Sequence, residues 1–239
     1  QQQKLESIGT LAGGVAHEIN NPVNGIMNYA QLIVDRLDEG HPLGDFATEI
    51  IHETERVAAI VRDLLTFARH EEQGHNVALM GDIVQSTLTL IRTVMRHDQI
   101  ELEVHVPEDL PQLRCRSQQI QQVLMNLLTN ARDALNGRYP SYDPNKTIRL
   151  SAELVVVDGR RWVRVCCEDN GGGIPKAAQE RLFDPFFTTK PRDAGTGLGL
   201  SISHGIVCEH QGRLYFDTVE GESTRFYVDL PVDREPVRE

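Results

Sequence analysis

Positive charge is in short supply in this chain: 24 lysines and arginines stand against 35 aspartates and glutamates, a formal net charge of -11. An excess of that sign repels phosphate backbones and anionic lipid, so no nucleic acid partner and no membrane contact are expected for this fragment. Long apolar runs are also missing. No stretch approaches the roughly 18 residues that span a bilayer, and Gln1-Gln2-Gln3-Lys4 does not resemble a signal peptide. The chain opens inside a helical pattern, so it is expected to be a fragment, and a membrane anchor upstream is left open. The four cysteines, Cys115, Cys166, Cys167 and Cys208, form no CxxC pair, and Cys166 and Cys167 would face opposite sides of a strand. Structural thiols in a reducing, cytoplasmic setting are therefore expected. The nine histidines include no HxxxH or HExxH spacing, which argues against a metal centre built on them. What remains, 40% hydrophobic and 25% charged residues over 239 positions, suits a soluble protein folded in two parts.

The first part reads as helix. Apolar residues at Leu5, Ile8, Ala12, Val15, Ile19, Ile26, Tyr29 and Ile33 step by three and four apart from one gap at Pro22, a heptad seam. Glycines and a proline between Asp38 and Gly44 break it, and Ile50, Thr54, Val57, Val61, Leu64 and Ala68 resume it. Two long helices joined by a short loop make an antiparallel hairpin. Two helices bury their seam only in part, so a second copy completing a four-helix bundle, a homodimer, is expected. In that register His17 falls at heptad position f and Asn21 at c, away from the seam and one turn apart. An outward histidine is usually an ordinary solvated residue. Here Glu18 stands beside it to hold or accept a ring proton, Asn21 follows to orient a water or phosphoryl oxygen, and Pro22 disturbs the helix at the same place.

Residues Glu71 to Asn76 lack periodicity and carry a glycine, so the domains are set at 1–72 and 76–239 with a hinge between them. The second part mixes helices near Met80 to Met95, Ser117 to Leu135 and Gly199 to His210 with strands at Ile100 to Val106, Thr147 to Val157, Trp162 to Glu168, Arg213 to Thr218 and Thr224 to Leu230. Short turns between consecutive strands predict a mixed, largely antiparallel sheet with helices on one face. The whole is α+β: a helical hairpin followed by an α/β sandwich. Three of its segments carry chemistry. Asn126 and Asn130 lie one turn apart in a long helix where neither can cap. They are either two polar residues on a wet face or carbonyl oxygens for Mg²⁺. Asp169, followed by Asn170 and three glycines, closes a strand with either a tight turn or an acceptor for an exocyclic amine such as that of adenine. Gly195-Thr196-Gly197-Leu198-Gly199-Leu200 opens a helix as an anion cradle, without the lysine that ends a P-loop.

Taken in this order, the segments make the chain resemble the sensor histidine kinases of two-component signalling over nearly its whole length. His17-Glu18-Ile19-Asn20-Asn21-Pro22 resembles the family's H box on a dimerisation and phosphotransfer hairpin. Asn126 to Asn130 resembles the N box, Asp169 to Gly173 the G1 box, Phe183-Asp184-Pro185-Phe186-Phe187 the F box, and Gly195 to Gly199 the G2 box of the Bergerat-type ATP-binding fold. The resemblance implies that ATP phosphorylates His17, with Glu18 as general base, and that the phosphoryl group passes to an aspartate on the receiver domain of a response regulator. It implies that Asn130 coordinates Mg²⁺ with Asn126 in support, and that Asp169 reads the adenine amine with Gly171, Gly173 and Ile174 around it. Lys190, on a mobile lid from about Gly171 to Gly197, approaches the phosphates, which Gly195, Thr196, Gly197, Leu198, Gly199 and Leu200 wrap. Thr224 supports the Asp169 site. In relatives of this kind an acidic residue and an amide three apart, here Glu18 and Asn21, serve a phosphatase reaction on the partner.

The chain departs from the pattern in two places. Asp133, counted here with the nucleotide-site residues, stands where many members have a basic residue, leaving Lys190 or Arg132 to meet the phosphates. Ser223 replaces a glycine common before the late threonine. Two other readings compete with the kinase. The gyrase, chaperone and mismatch-repair ATPases of the same nucleotide fold use a glutamate four residues before the magnesium asparagine, and here that position is Asn126. A scaffold that binds nucleotide without catalysis is the other, and it is opposed by the full set of boxes.

Overall fold

A computed structural model describes residues 19, 21–38, 41–68, 76–190 and 195–232. His17, Glu18, the seam positions up to Val15 and the linker at 71–75 lie outside these residues. The chain divides into two compact units, residues 1–72 with 185–199, and residues 73–184 with 200–239.

In the first unit, helix α1 covers 21–34 and α2 covers Pro42–Ala68. Burial departs from the expected seam on α1 and agrees with it at Thr54 and Val61 on α2. The buried stripe is Val23 and Ala30 on α1 and Ala47, Thr54 and Val61 on α2, extended by half-buried Met27, Val34, Ile51 and Ala58. It steps by three and four, as a packed helix pair demands. The expected residues Ile26, Tyr29, Ile33 and Ile50 point outward instead, joined by Phe46; Tyr29 is 72% exposed and Phe46 68%. The one hydroxyl in the buried stripe is satisfied within its own helix, Thr54 Oγ1 donating to the Ile51 and Ile50 carbonyls at 2.7 and 2.9 Å.

The second unit is built on a five-stranded sheet. Its strands are β2 (Glu101–His105), β4 (Thr147–Val157), β5 (Arg160–Asp169), β6 (Arg213–Val219) and β7 (Ser223–Pro231), in spatial order β2-β4-β5-β7-β6. The β2-β4 pair is parallel and the other pairs are antiparallel, the mixed sheet the turns predict. Helices α3 (Met80–His97) and α4 (Ser117–Arg138) pack on each other and on this sheet, and α6 covers Gly199–Glu209. A short helix α5 (Lys176–Gln179) and a two-stranded pair, β1 (Asn76–Ala78) with β3 (Leu113–Cys115), were not expected.

Period-two alternation decides which face is core. Ile148, Leu150, Val163, Val165, Cys167, Phe226, Val228 and Leu230 are buried, and α4 answers with Ile120, Val123, Leu124, Leu127, Leu128, Ala131 and Leu135. Each fully buried aliphatic side chain contributes about 1.5–3 kcal/mol, so this stripe fixes the rotation of α4 and with it the direction of its amides. The far face is charged, with Arg149 bridging Glu103 and Glu168, and Arg225 continuing the chain to Glu168. Cys166 and Cys167 do fall on opposite faces, and burial pushes both thiols up, Cys166 to about 11. Both are therefore inert, protonated residues at neutral pH. Among the described residues no helix is long and apolar enough to cross a membrane, and no cluster of three metal-ligating side chains occurs.

Candidate nucleotide and phosphotransfer site

Asp169 is the last residue of β5 and only 3% exposed. Its Oδ1 accepts the Gly171 N–H at 2.9 Å. Burial is the dominant influence on the carboxyl and, with Glu168 adding a like charge, lifts its pKa to about 6 against the opposing pull of the Gly171 N–H. A Cβ at position 171 would sit 2.6 Å from that same Oδ1, so the chain needs glycine there for the carboxylate to keep its place. Thr224 lies directly opposite Asp169 in the β5-β7 ladder and is itself buried. Thr224 Oγ1 lies 3.2 Å from Thr218 Oγ1, and Thr218 Oγ1 also accepts the Ile174 N–H at 2.9 Å. A hydroxyl network thus joins Thr224 to Ile174 of the glycine turn, whose Gly171 is bonded to Asp169.

On α4 the two asparagines are half-buried, one turn apart. Asn126 Nδ2 donates to Ser203 Oγ of α6 at 3.1 Å, and Ser203 is fully buried. That bond ties the Asn126 amide to α6. Ser203 was missed in the sequence; it is 77 positions away, and nothing local to it signals the pairing. Arg132, one of two expected phosphate contacts, is engaged elsewhere. Its Nε donates to Asp98, which also accepts Asn136 Nδ2 at 2.8 Å, and its Nη1 lies 3.6 Å from Asp133 Oδ1. Although burial works in the opposite direction, hydrogen bonds from Asn136, His97 and Arg132 hold the Asp98 carboxyl well below the usual carboxylate range. Arg132 is thereby committed to tying α4 to the end of α3.

Within the loop 185–199 two tight turns are closed by threonine hydroxyls. Lys190 N–H donates to Thr188 Oγ1 at 3.1 Å, and Leu198 N–H to Thr196 Oγ1 at 3.3 Å. Gly197 has φ +68° against the Phe186 backbone, where no side chain would fit. The expected lid from Gly171 to Gly197 thus contains the helix α5 and two hydroxyl-closed turns, and Gly199 opens α6 as the glycine pattern predicted. On the hairpin Asn21 is exposed at the start of α1, while His17 and Glu18 lie outside the described residues.

Two family models match in the order the motifs predict. The His Kinase A (phospho-acceptor) domain matches residues 7–73, and the histidine kinase-, DNA gyrase B- and HSP90-like ATPase model matches 115–234. This chain belongs to the sensor histidine kinases. Sensor kinase CckA of Brucella abortus is 34% identical over 235 residues, 97% of this chain but 25% of that relative. Histidine kinase AtoS of Escherichia coli is 30% identical over 98% of this chain and 36% of its own length. The chain therefore spans about a quarter to a third of these curated relatives. Among solved structures, histidine kinase ThkA in complex with response regulator protein TrrA aligns over 97% of this chain with TM-score 0.64 at 24% identity, covering 64% of that chain. That likeness is one of fold, and it extends over both parts of the histidine kinase core. Nucleotide binding by the sheet domain follows from the ATPase family to which it belongs.

Proposed function

We propose that this chain is the catalytic core of a sensor histidine kinase that phosphorylates itself on His17 from ATP and passes the phosphoryl group to an aspartate on a response regulator's receiver domain. The observation that carries the proposal is the buried Asp169 carboxylate held at the head of a glycine turn, on a chain whose sequence also bears the His17-Glu18-x-x-Asn21 motif. We take residues 1–72 as the dimerisation and phosphotransfer domain and 76–239 as the ATP-binding domain. In the transfer step the His17 ring nitrogen attacks the γ-phosphorus in line, the bond to ADP breaks, and Glu18 takes the ring proton. Asp169 Oδ1 is occupied by Gly171, so the adenine amine would meet Oδ2. Lys190 and the turn Gly195 to Leu200 would bind the phosphates, and Thr224 would steady Asp169. Asp133 would border the site without contacting phosphate.

The residue types present also suit a magnesium ion: Asn130 and Asn126 carry neutral carbonyl oxygens and lie one turn apart on α4, and the Asn126 amide nitrogen donates to Ser203. Asn130 would be the ligand and Asn126 its support, and the ion would supply neutralisation of phosphate charge. Location in the cytoplasm follows from ATP as phosphoryl donor. Mixing phosphorylated chain with a receiver domain tests the transfer: label should leave the chain and appear on the receiver as a base-labile acyl phosphate. Retention of all label on the chain in the presence of several receivers would contradict it.

Two further results are expected. Asn21→Ala should slow dephosphorylation of the receiver at least about tenfold while autophosphorylation changes less than about twofold, because orienting a water matters only to the hydrolytic direction. Equal loss of both would remove Asn21 from that role. The hairpin leaves Ile26, Tyr29, Ile33, Phe46 and Ile50 exposed at helical spacing, and a second copy that completes a four-helix bundle would cover them. Tyr29→Glu with Phe46→Glu should convert dimer to monomer by light scattering at micromolar concentration, with helical content preserved; an unchanged mass would contradict the bundle.

A further inference from the structure

Arg138, the last residue of α4, carries a guanidinium that no motif announces. Its Nη1 lies within hydrogen-bond reach of three backbone carbonyls, Asn170 at 3.1 Å, Gly171 at 2.9 Å and Glu222 at 2.7 Å. The first two belong to the turn that follows Asp169, and the third to the β6-β7 hairpin. The same turn is pinned from its other side. Gly221 N–H donates to the Gly172 carbonyl at 2.8 Å, and Ile174 N–H to Thr218 Oγ1 at 2.9 Å. Gly173, at φ +65°, approaches the Val219 carbonyl so closely that a Cβ would lie 2.2 Å from it. The turn is therefore seated on the β6-β7 hairpin, and one cation ties both to the helix that bears Asn126 and Asn130.

We propose that Arg138 is a positioning residue for the nucleotide: by gathering the Asn170, Gly171 and Glu222 carbonyls it holds the glycine turn in the one geometry in which Gly171 N–H fixes Asp169. The inference rests on the reading of Asp169 as the adenine acceptor. Three carbonyl dipoles converging on one nitrogen repel each other without a cation between them, and charge-assisted bonds are the strong class. Arg138 acts at the base end of the ligand, so its loss should be felt equally by ATP and ADP.

The test uses the whole chain with Arg138→Met, Arg138→Lys and, as control, Asp169→Asn. Arg138→Met should raise the Kd for ATP and ADP by the same factor, about tenfold, the size of one charge-assisted hydrogen bond. Phosphorylation at saturating ATP should be unchanged, amide exchange at 170–174 should quicken, and the nucleotide-free melting temperature should hold. Arg138→Lys, which keeps a cation and donors, should recover part of the affinity. Unchanged Kd values in Arg138→Met beside lost binding in Asp169→Asn would overturn the inference alone. A loss of affinity that tracks a fall in nucleotide-free melting temperature, unrecovered by lysine, would make Arg138 a general structural residue and overturn it too. Intact binding in Asp169→Asn would overturn the adenine reading, and this inference with it.

Discussion

Asp169→Asn should lower ATP affinity about a hundredfold and at the same time make the nucleotide-free protein more stable. The asparagine carbonyl can still accept the Gly171 N–H, so the turn survives. Its amide nitrogen then faces the adenine amine, donor against donor, in a buried place where an unpaired polar group costs about 1–3 kcal/mol beyond the bond that is lost. The stability gain comes from the other side of the same burial. The folded-state pKa of Asp169 is about 6, above its ordinary 3.8, so the ionised form is the disfavoured one in the fold. That penalty is fully present above pH 6 and is relieved as pH falls from 6 toward 3.8, the reverse of the usual carboxylate. Asparagine escapes it at every pH. Melting curves without nucleotide should place the variant a few degrees above the parent at pH 7.5, with the difference shrinking by pH 5. Nucleotide affinity of the parent should run the opposite way, full above pH 6 and falling below it as the acceptor is protonated. A variant less stable than the parent at pH 7.5, or a parent whose ATP affinity is flat from pH 8 to 5, would contradict this account of the carboxylate.

His17→Gln should abolish phosphorylation while leaving the Kd for ATP within about twofold. Glutamine keeps a polar side chain of similar reach and a good helix propensity but has no nucleophilic nitrogen. Glu18→Gln should be milder, a loss of about 10²–10⁴-fold, because it removes the proton acceptor while the nucleophile stays. The split between binding and turnover is the informative quantity. Phosphorylation and ATP affinity falling together in His17→Gln would mean that the substitution disturbs the nucleotide domain, and the phosphoacceptor would have to be sought elsewhere.

The fold was largely legible because its two periods are clean. Alternation along Thr147–Val157 and Arg160–Asp169, and the three-four stripe from Ile120 to Leu135, fall where the sequence pattern predicts them. The hairpin seam is legible at Thr54 and Val61 but not on α1, for a physical reason. Both helices carry two apolar stripes, and hydrophobic periodicity cannot say which of them is covered; Ala30 and Ala47 are buried while Tyr29 and Phe46 are exposed. The strands Asn76–Ala78 and Leu113–Cys115 are too short to show alternation, and only their pairing makes them strands. At the site, Asp169, Gly171 and Thr224 were readable because glycines and a strand-end acid are local signals. Ser203, Arg138 and the Asp98–Arg132 pair were not, since each acts across 30 or more positions and its chemistry exists only once the chain has folded.

The most direct measurement is to incubate the purified chain with Mg-ATP and locate the phosphoryl group by mass spectrometry of the intact and digested protein. The account predicts one phosphate, lost in acid and retained in base, on the peptide that contains His17, and none on the His17→Gln chain. A chain that binds ATP and acquires no phosphate, or carries an acid-stable phosphate elsewhere, would contradict it.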